Sequence, residues 1–368
     1  MQSQRIIVKL GTSTLTNGTK QLHRERMLEI VQQIAHLHQQ GHELILVSSG
    51  AQAAGREHLN FPTLTRSVPA KQMLSAVGQS HLMRIYSDLF DIFQIIVGQI
   101  LLTRDDLSQR GRYLNARDTL QTMIEQGIIP IINENDTIAT EEIRVGDNDN
   151  LSAMVASVID ADMLILLTDQ SGLFTADPRK FADAQKIDVI ERIDADLFNL
   201  AGGAGSSVGT GGMRTKLQAA QIASRAGVTT IIANGRTEKV IERLVAGEAI
   251  GTRLEAIATL ESRKRWLLTD RTEGAVTVDK GAIRALIAKD GASLLPVGIK
   301  QVTGTFQRSA TIAIHNLEGD IIAQGLSAYT SEELAQIKGR KSQEITDILG
   351  YSYGDAAIHR NNLVILDK

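Results

Sequence analysis

Two lysines far apart in the 368-residue chain, Lys9 and Lys216, each stand beside a glycine-marked turn, "VKLGTS" at 8–13 and "VGTGGMRTKLQAA" at 208–220. In the first, Lys9 ends an apolar run, and the turn Gly11-Thr12-Ser13 can offer free amides to an anion. In the second, Thr210, Gly211, Gly212, Met213, Arg214 and Thr215 can turn main-chain amides toward phosphate oxygens. Lys216 would then project from the first turn of a helix starting near Met213. The spacing is not that of a Walker A loop, which needs Gly-Lys-Ser/Thr in succession, because Met213, Arg214 and Thr215 separate Gly212 from Lys216. Read alone, each segment also fits a surface lysine beside a tight turn.

Polar groups gather between these lysines. "VGDNDNLSA" (145–153) places Asp147, Asn148, Asp149 and Asn150 before an apolar helical run, and Asp136 lies in "INENDTIAT" (132–140). One helix cap needs only one of these side chains. The others suit recognition of a small amino-acid-like substrate, metal-bound waters, or orientation of a catalytic lysine. "VSSGA" (47–51) is no G-x-S-x-G nucleophile elbow, so Ser49 is a hydrogen-bond donor or an N-cap. Thr168 and Asp169 open a Gly- and Pro-marked loop able to wall a nucleotide base. Two cations with acids to orient them, and no covalent nucleophile, fit phosphoryl transfer, which needs positioning and charge neutralisation.

These groups need a common frame. Strand-length apolar runs occur at 5–10, 43–49, 95–100, 128–133, 163–169 and 229–234, as expected for parallel strands buried on both faces. Between the first two, Met27, Ile30, Val31, Ile34 and Leu37 form one helical face that Gly41 ends. The expected fold is α/β, a doubly wound and mainly parallel sheet whose ligands bind beyond the strands' carboxyl ends. The rhythm stops near Arg253, and short strands, glycine turns and short helices follow the charged stretch "ESRKRWLLTDRTEG" (261–274). The expected division is 1–255, a linker at 256–274, a small mostly β domain at 275–352 and a tail at 353–368.

Composition narrows the function. With 43% hydrophobic and 22% charged residues and a net charge of −3, nothing global draws the chain to nucleic acid or an anionic membrane. The absence of cysteine excludes disulfides and thiolate chemistry, and the eight histidines show no metal-ligand spacing. "MQSQRIIVKLGTS" enters a strand directly, so no signal peptide, no membrane span and a cytoplasmic location are expected.

The motifs resemble the amino acid kinase family. The resemblance is carried by "VKLGTS" (8–13), "VSSGA" (47–51), "LLTRDD" (101–106), "YLNARDTL" (113–120), "INENDTIAT", "VGDNDNLSA", "LLTDQSGLFTADPR" (166–179) and "GTGGMRTKLQAA" (209–220), in family order across the first domain. Single motifs are shared with branches acting on acetylglutamate, aspartate, carbamate or UMP. "INEND" followed by "GDNDN" is similar to the branch that phosphorylates the γ-carboxylate of L-glutamate, the first step of proline biosynthesis. The resemblance implies ATP as cofactor, with Mg²⁺ carried by its phosphates and water and no metal held by the protein itself. It also implies proline as feedback inhibitor, a homodimer or homotetramer, and a glutamyl phosphate reductase as functional partner. It gives Lys9 and Lys216 the transferred phosphoryl group, Asp149 the task of holding both lysines, and Ser49, Asp136 and Asn148 the glutamate. Lys9, Thr168, Asp169 and Thr210 to Lys216 would hold ATP.

The tail resembles a PUA domain through "GASLLPVGI" (291–299), "NLEGDIIAQGLSAY" (316–329) and "SEELAQIKG" (331–339). In "QRSATIAI" (307–314), a serine stands where the PUA pattern tends to have glycine after the arginine. Residues 275–352 carry eight basic and eight acidic side chains, a balance that argues against RNA as a partner.

Overall fold

The computed structural model describes residues 3–65, 67–139, 148–176, 178, 181, 183–202, 212–256, 272–288 and 291–366. The expected linker, Asp147, Thr210 and Gly211 fall wholly or largely outside them. The chain forms two compact units, Met1–Ser108 with Thr119–Ala258, and Gln109–Asp118 with Thr259–Lys368. Among the described residues no helix is long and apolar enough to cross a membrane.

The first unit alternates strands and helices: β1 (Arg5–Leu10), α1 (Thr12–Thr16), α2 (Arg24–Gln39), β2 (Glu43–Ser48), α3 (Ala51–His58), α4 (Val68–Asp91), β3 (Val97–Leu102) and α5 (Arg104–Ser108). After α6 (Arg110–Glu125) come β4 (Ile129–Glu134), α7 (Asn148–Val158), β5 (Met163–Thr168) and the short β6 (Leu173–Phe174), β7 (Lys186–Ile187) and β8 (Val189–Ile190). Helices α8 (Ala195–Gly202) and α9 (Met213–Arg225), β9 (Thr229–Asn234), α10 (Val240–Val245) and β10 (Thr252–Leu254) complete it. The sheet order is β3-β4-β2-β1-β5-β9-β10-β8. Every pairing from β3 to β9 is parallel, and β10 runs antiparallel to β9.

The apolar runs form strands because helices cover both faces of the sheet, and β4 and β5 are buried at every position. On one face Ile6, Val8 and Leu10 pack with Met27, Ile30 and Ile34 of α2. Side chains alternate along a strand, so Lys9 faces the other side, where α7 lies on β1 and β5. The run at 95–100 is displaced from the observed strand, since β3 is the sheet's edge: Ile96 is 68% exposed and pairing begins at Val97.

Helices α3 and α4 touch backbone to backbone. A Cβ at Gly55 would lie 2.0 Å from the Leu74 carbonyl oxygen, and one at Gly78 only 1.8 Å from that of Ala51. Both glycines are therefore needed for close approach, and α4 is held to the helix that follows β2.

The second unit contains β11 (Gly274–Val278), α11 (Lys280–Ile287), β12 (Ile299–Thr303), β13 (Thr311–His315), β14 (Ile321–Leu326), α12 (Ser331–Ile337), α13 (Ile345–Leu349) and β15 (Leu363–Ile365). Its sheet runs β12-β11-β13-β14-β15 over a core that includes Val276, Phe306, Ile312, Tyr329 and Leu334. Strand β15, within the stretch read from sequence as a tail, pairs antiparallel with β14. Within the same unit Arg308 pairs with Asp118, and Leu326 packs on Leu114.

The serine of "QRSATIAI" sits at a strained turn. Ala310 N–H donates to Gln307 O at 3.1 Å, and Ser309, third in this turn, has φ +75°. That conformation favours glycine, and the buried Ser309 hydroxyl has no partner among the described residues. Ser309→Gly should therefore stabilise this unit by about 1 kcal/mol, read as a higher melting temperature by calorimetry. An unchanged or lower melting temperature would show that the turn is unstrained.

Candidate active site

Parallel pairing brings the carboxyl ends of five strands to one edge of the sheet. Lys9 is in register with Val47 and Leu166, Val47 with Ile132, and Thr168 with Asn234. Ser48, Thr168 and Asn234 therefore end their strands, and Asn133 stands one residue before the end of β4, at the edge where Lys9 lies. Helices α7 and α9 pack together and begin at this edge. Gly212 caps α9 without a side-chain bond, which leaves that helix start open to an anion.

At its centre Asp149 bridges the two lysines. Its Oδ1 lies 2.5 Å from Lys9 Nζ and its Oδ2 3.0 Å from Lys216 Nζ, while the Thr215 hydroxyl donates to Oδ2 at 3.0 Å. Asp149 is 0% exposed, Lys9 3% and Lys216 4%. Burial alone would push the Asp149 carboxyl up, but the Lys9 ammonium and then the Lys216 ammonium outweigh it and hold the group well below the ordinary carboxylate range. Within this bridge one carboxylate faces two ammoniums, an arrangement suited to a phosphoryl group. A Cβ at Gly11 would stand 4.0 Å from Lys9 Nζ, so the ammonium lies over the small turn after β1.

A second polar cluster adjoins the triad. Asn148 Nδ2 donates to Ser48 O at 2.9 Å, to Asn133 Oδ1 at 2.7 Å and to Ser49 Oγ at 3.3 Å. The Ser48 hydroxyl donates to Ser49 O at 2.9 Å, which spends its proton, so the Tyr86 hydroxyl 2.7 Å away donates to Ser48 Oγ. Burial pushes the Tyr86 phenol up, with the Ser48 bond opposing, and keeps it a neutral donor. Asp136, two residues beyond β4, is half-buried; desolvation raises its carboxyl above the ordinary value, partly offset by the Ser75 hydroxyl of α4.

Residues 4–234 match the amino acid kinase family, and residues 274–349 match the PUA domain. The chain belongs to the amino acid kinase family. Proteins named glutamate 5-kinase are similar to it throughout: that of Aliivibrio salmonicida is 53% identical with 99% of both chains covered, and that of Herpetosiphon aurantiacus 53% with 98% of both. That of Sodalis glossinidius is 51% identical, again with 99% of each covered. A solved UMP kinase from Bacillus anthracis is 16% identical, with a TM-score of 0.49 over 69% of this chain and 97% of the other.

In this amino acid kinase the residues singled out by sequence fall into groups. Lys9, Asp149 and Lys216 meet directly, with Thr215 joined to them. Ser49 and Asn148 touch each other, and because Gly50 occupies the N-cap of α3, Ser49 is not that cap. Thr168 donates to Asp169 Oδ1 at 3.1 Å, and Asn234 reaches Asp169 O at 3.4 Å. Gly212 and Met213 start α9, and Arg214 lies 6.0 Å over the Phe198 ring. Thr210 and Gly211 lie outside the described residues.

Three residues escaped the sequence reading: Asn133, Asn234 and Tyr86. The first two stand at or next to the ends of apolar strands, and that position at a carboxyl edge is the signal that could have found them; Tyr86 lies in a long helix and carries none.

Asp149→Asn would remove the carboxylate that two buried ammoniums share, a loss of about 3–5 kcal/mol in urea unfolding. Its folded-state pKa is depressed, so the stability it contributes is complete above about pH 4 and drains away as acid protonates it further down. Unfolding of Asp149→Asn that matches the parent at neutral pH would contradict the bridge.

Proposed function

We propose that this chain transfers the γ-phosphoryl group of ATP to the γ-carboxylate of L-glutamate, giving γ-glutamyl phosphate and ADP, the opening step of proline biosynthesis. Full-length similarity to glutamate 5-kinases supports the substrate. The observation that carries the chemistry is the buried Lys9–Asp149–Lys216 bridge at the sheet's ligand-binding edge. The catalytic domain is taken as 1–255, with the PUA domain at 275–352.

The attacking carboxylate is ionised at neutral pH and needs no general base. The difficulty is charge, since an anion approaches a polyanion. Lys9 and Lys216 would contact the transferred group and bridging oxygens, held apart and in place by Asp149, while the N-terminus of α9 would face the phosphates. Thr168 and Asp169 would bound the nucleotide. Both Asp149 oxygens face ammoniums, and among the described residues no three His, Asp or Glu side chains cluster to hold a metal. The same reading has Mg²⁺ held by the ATP phosphates and water, where it would supply further charge neutralisation.

Ser49, Asn148 and Asp136 would bind glutamate, with Asp136 opposite the α-ammonium. An N-acylated substrate would leave that half-buried carboxylate without its ammonium partner, a penalty. Proline as inhibitor, a homodimer or homotetramer, and a glutamyl phosphate reductase that takes up the labile acyl phosphate belong to the same reading.

ADP release should require glutamate with Mg-ATP, and N-acetylglutamate, aspartate, carbamate and UMP should not replace it. Lys216→Met should lower kcat by about 10²–10³. Near-normal turnover in that variant would remove the lysine from the reaction. The pH dependence has a defined sign. Because the Asp136 pKa is raised, the group protonates earlier on acidification than an ordinary carboxyl at about 3.9, and loses its pairing with ammonium. KM for glutamate should thus climb on acidification at a higher pH than an ordinary carboxylate would dictate, and Asp136→Asn should flatten that profile at a high KM. An identical profile in the variant would take Asp136 out of substrate binding.

A further inference from the structure

The amide of Asn148 is the end of a longer chain of buried amides. Asn133 Nδ2 donates to Gln79 Oε1 at 2.8 Å, and Gln79 Nε2 lies 3.5 Å from Gln99 Oε1 on the edge strand β3. Asn133 is 3% exposed, Asn148 6% and Gln79 9%. Backbone groups at two points fix the polarity of this chain. Glu134 N–H can only donate, and it lies 2.9 Å from Asn133 Oδ1. Ser48 O can only accept, and Asn148 Nδ2 is 2.9 Å from it. Given these two anchors, Asn133 must accept from Asn148 and offer its own NH₂ outward, where only the oxygen of Gln79 can receive it.

We infer that Gln79 is a positioning residue for substrate recognition: through Asn133 it locks the Asn148 carboxamide with its NH₂ turned to the protein and its oxygen left to accept from a substrate ammonium. This rests on the glutamate reading above. Both Nδ2 protons of Asn148 are spent on Ser48 O and Asn133 Oδ1, with Ser49 Oγ sharing at 3.3 Å. Asn148 thus acts as an acceptor, and the Ser49 proton stays available to an anionic group of the ligand. A free amino acid satisfies this polarity with a charged donor, whereas an N-acylated one keeps a single neutral N–H and adds a carbonyl oxygen that this acceptor repels. Gln79 can hold the far end firmly because it follows Gly78, whose backbone contact with Ala51 pins α4 against α3.

The test uses the full-length chain, glutamate and N-acetylglutamate as acceptors, and two variants. Gln79→Met keeps the volume and removes the acceptor. Gln79→Glu keeps an oxygen facing Asn133 in either protonation state. In Gln79→Met, KM for glutamate should rise about tenfold, with kcat within about twofold and KM for ATP unchanged. The preference for glutamate over N-acetylglutamate should fall in step. Gln79→Glu should restore KM to within about threefold of the parent.

A glutamate KM within twofold in Gln79→Met, or parallel rises for ATP and glutamate with a lowered melting temperature, overturns the inference. Should Gln79→Met fail to fold, Gln79→Glu decides alone, and a tenfold rise of its glutamate KM overturns it. Failure of the unsubstituted chain to phosphorylate glutamate would instead sink the glutamate reading itself.

Discussion

One buried carboxylate sets the terms for everything around it. Asp149 takes one lysine on each oxygen, from a strand near the start of the chain and from a helix more than two hundred residues later. Two ammoniums at such burial repel each other, and neither could stay near a dry sheet edge without the charge between them. That requirement fixes much of the first unit. β1 must end beside β5 so that Lys9 reaches across to the start of α7, and α9 must pack on α7 so that Lys216 approaches from the other side. A common edge for these elements follows from parallel pairing, because every strand in the run from β3 to β9 ends there.

The absence of a Walker A signature has its reason in the same geometry. In that loop one segment supplies both amides and lysine, so their spacing is local and visible in a few residues. Here the amides after β1 and at the start of α9 belong to separate elements, and each brings its own lysine. Charge neutralisation is shared across the fold, and Asp149 enforces the separation that a single loop would set covalently.

The sequence disclosed the charged parts of this arrangement and hid the neutral ones. Lys9, Asp149 and Lys216 were legible because a charge beside glycines or within a polar cluster is conspicuous against apolar strands. Asn148 was visible beside Asp149, though its direction of hydrogen bonding was not. Gln79 carried no signal: a glutamine in a long helix reads as a surface residue, and only the pairing of β4 with β2 and the docking of α4 on α3 bring it to Asn133. The strands of the parallel core were readable as apolar runs. The edge strand β3 was misplaced by two residues because hydrophobicity does not mark where pairing starts. Strands β12 and β15 went unseen, since "IKQVT" is half polar and "LVI" is short, and each is a strand only through its neighbour.

Specificity and catalysis consequently rest on different physics within one small volume. In the proposed reaction the lysine bridge would act by charge and be indifferent to which carboxylate attacks. Discrimination would then fall to groups with direction: a carboxylate at Asp136 whose partial desolvation makes an unpaired state costly, and an amide at Asn148 whose oxygen can accept but whose NH₂ is already engaged. A branch of the same fold acting on a different acceptor could keep Lys9, Asp149 and Lys216 unchanged and alter only these directional groups. The chain of amides from Gln99 to Asn148 matters for that reason, because reversing one carboxamide changes what the pocket accepts while leaving the charge of the site untouched.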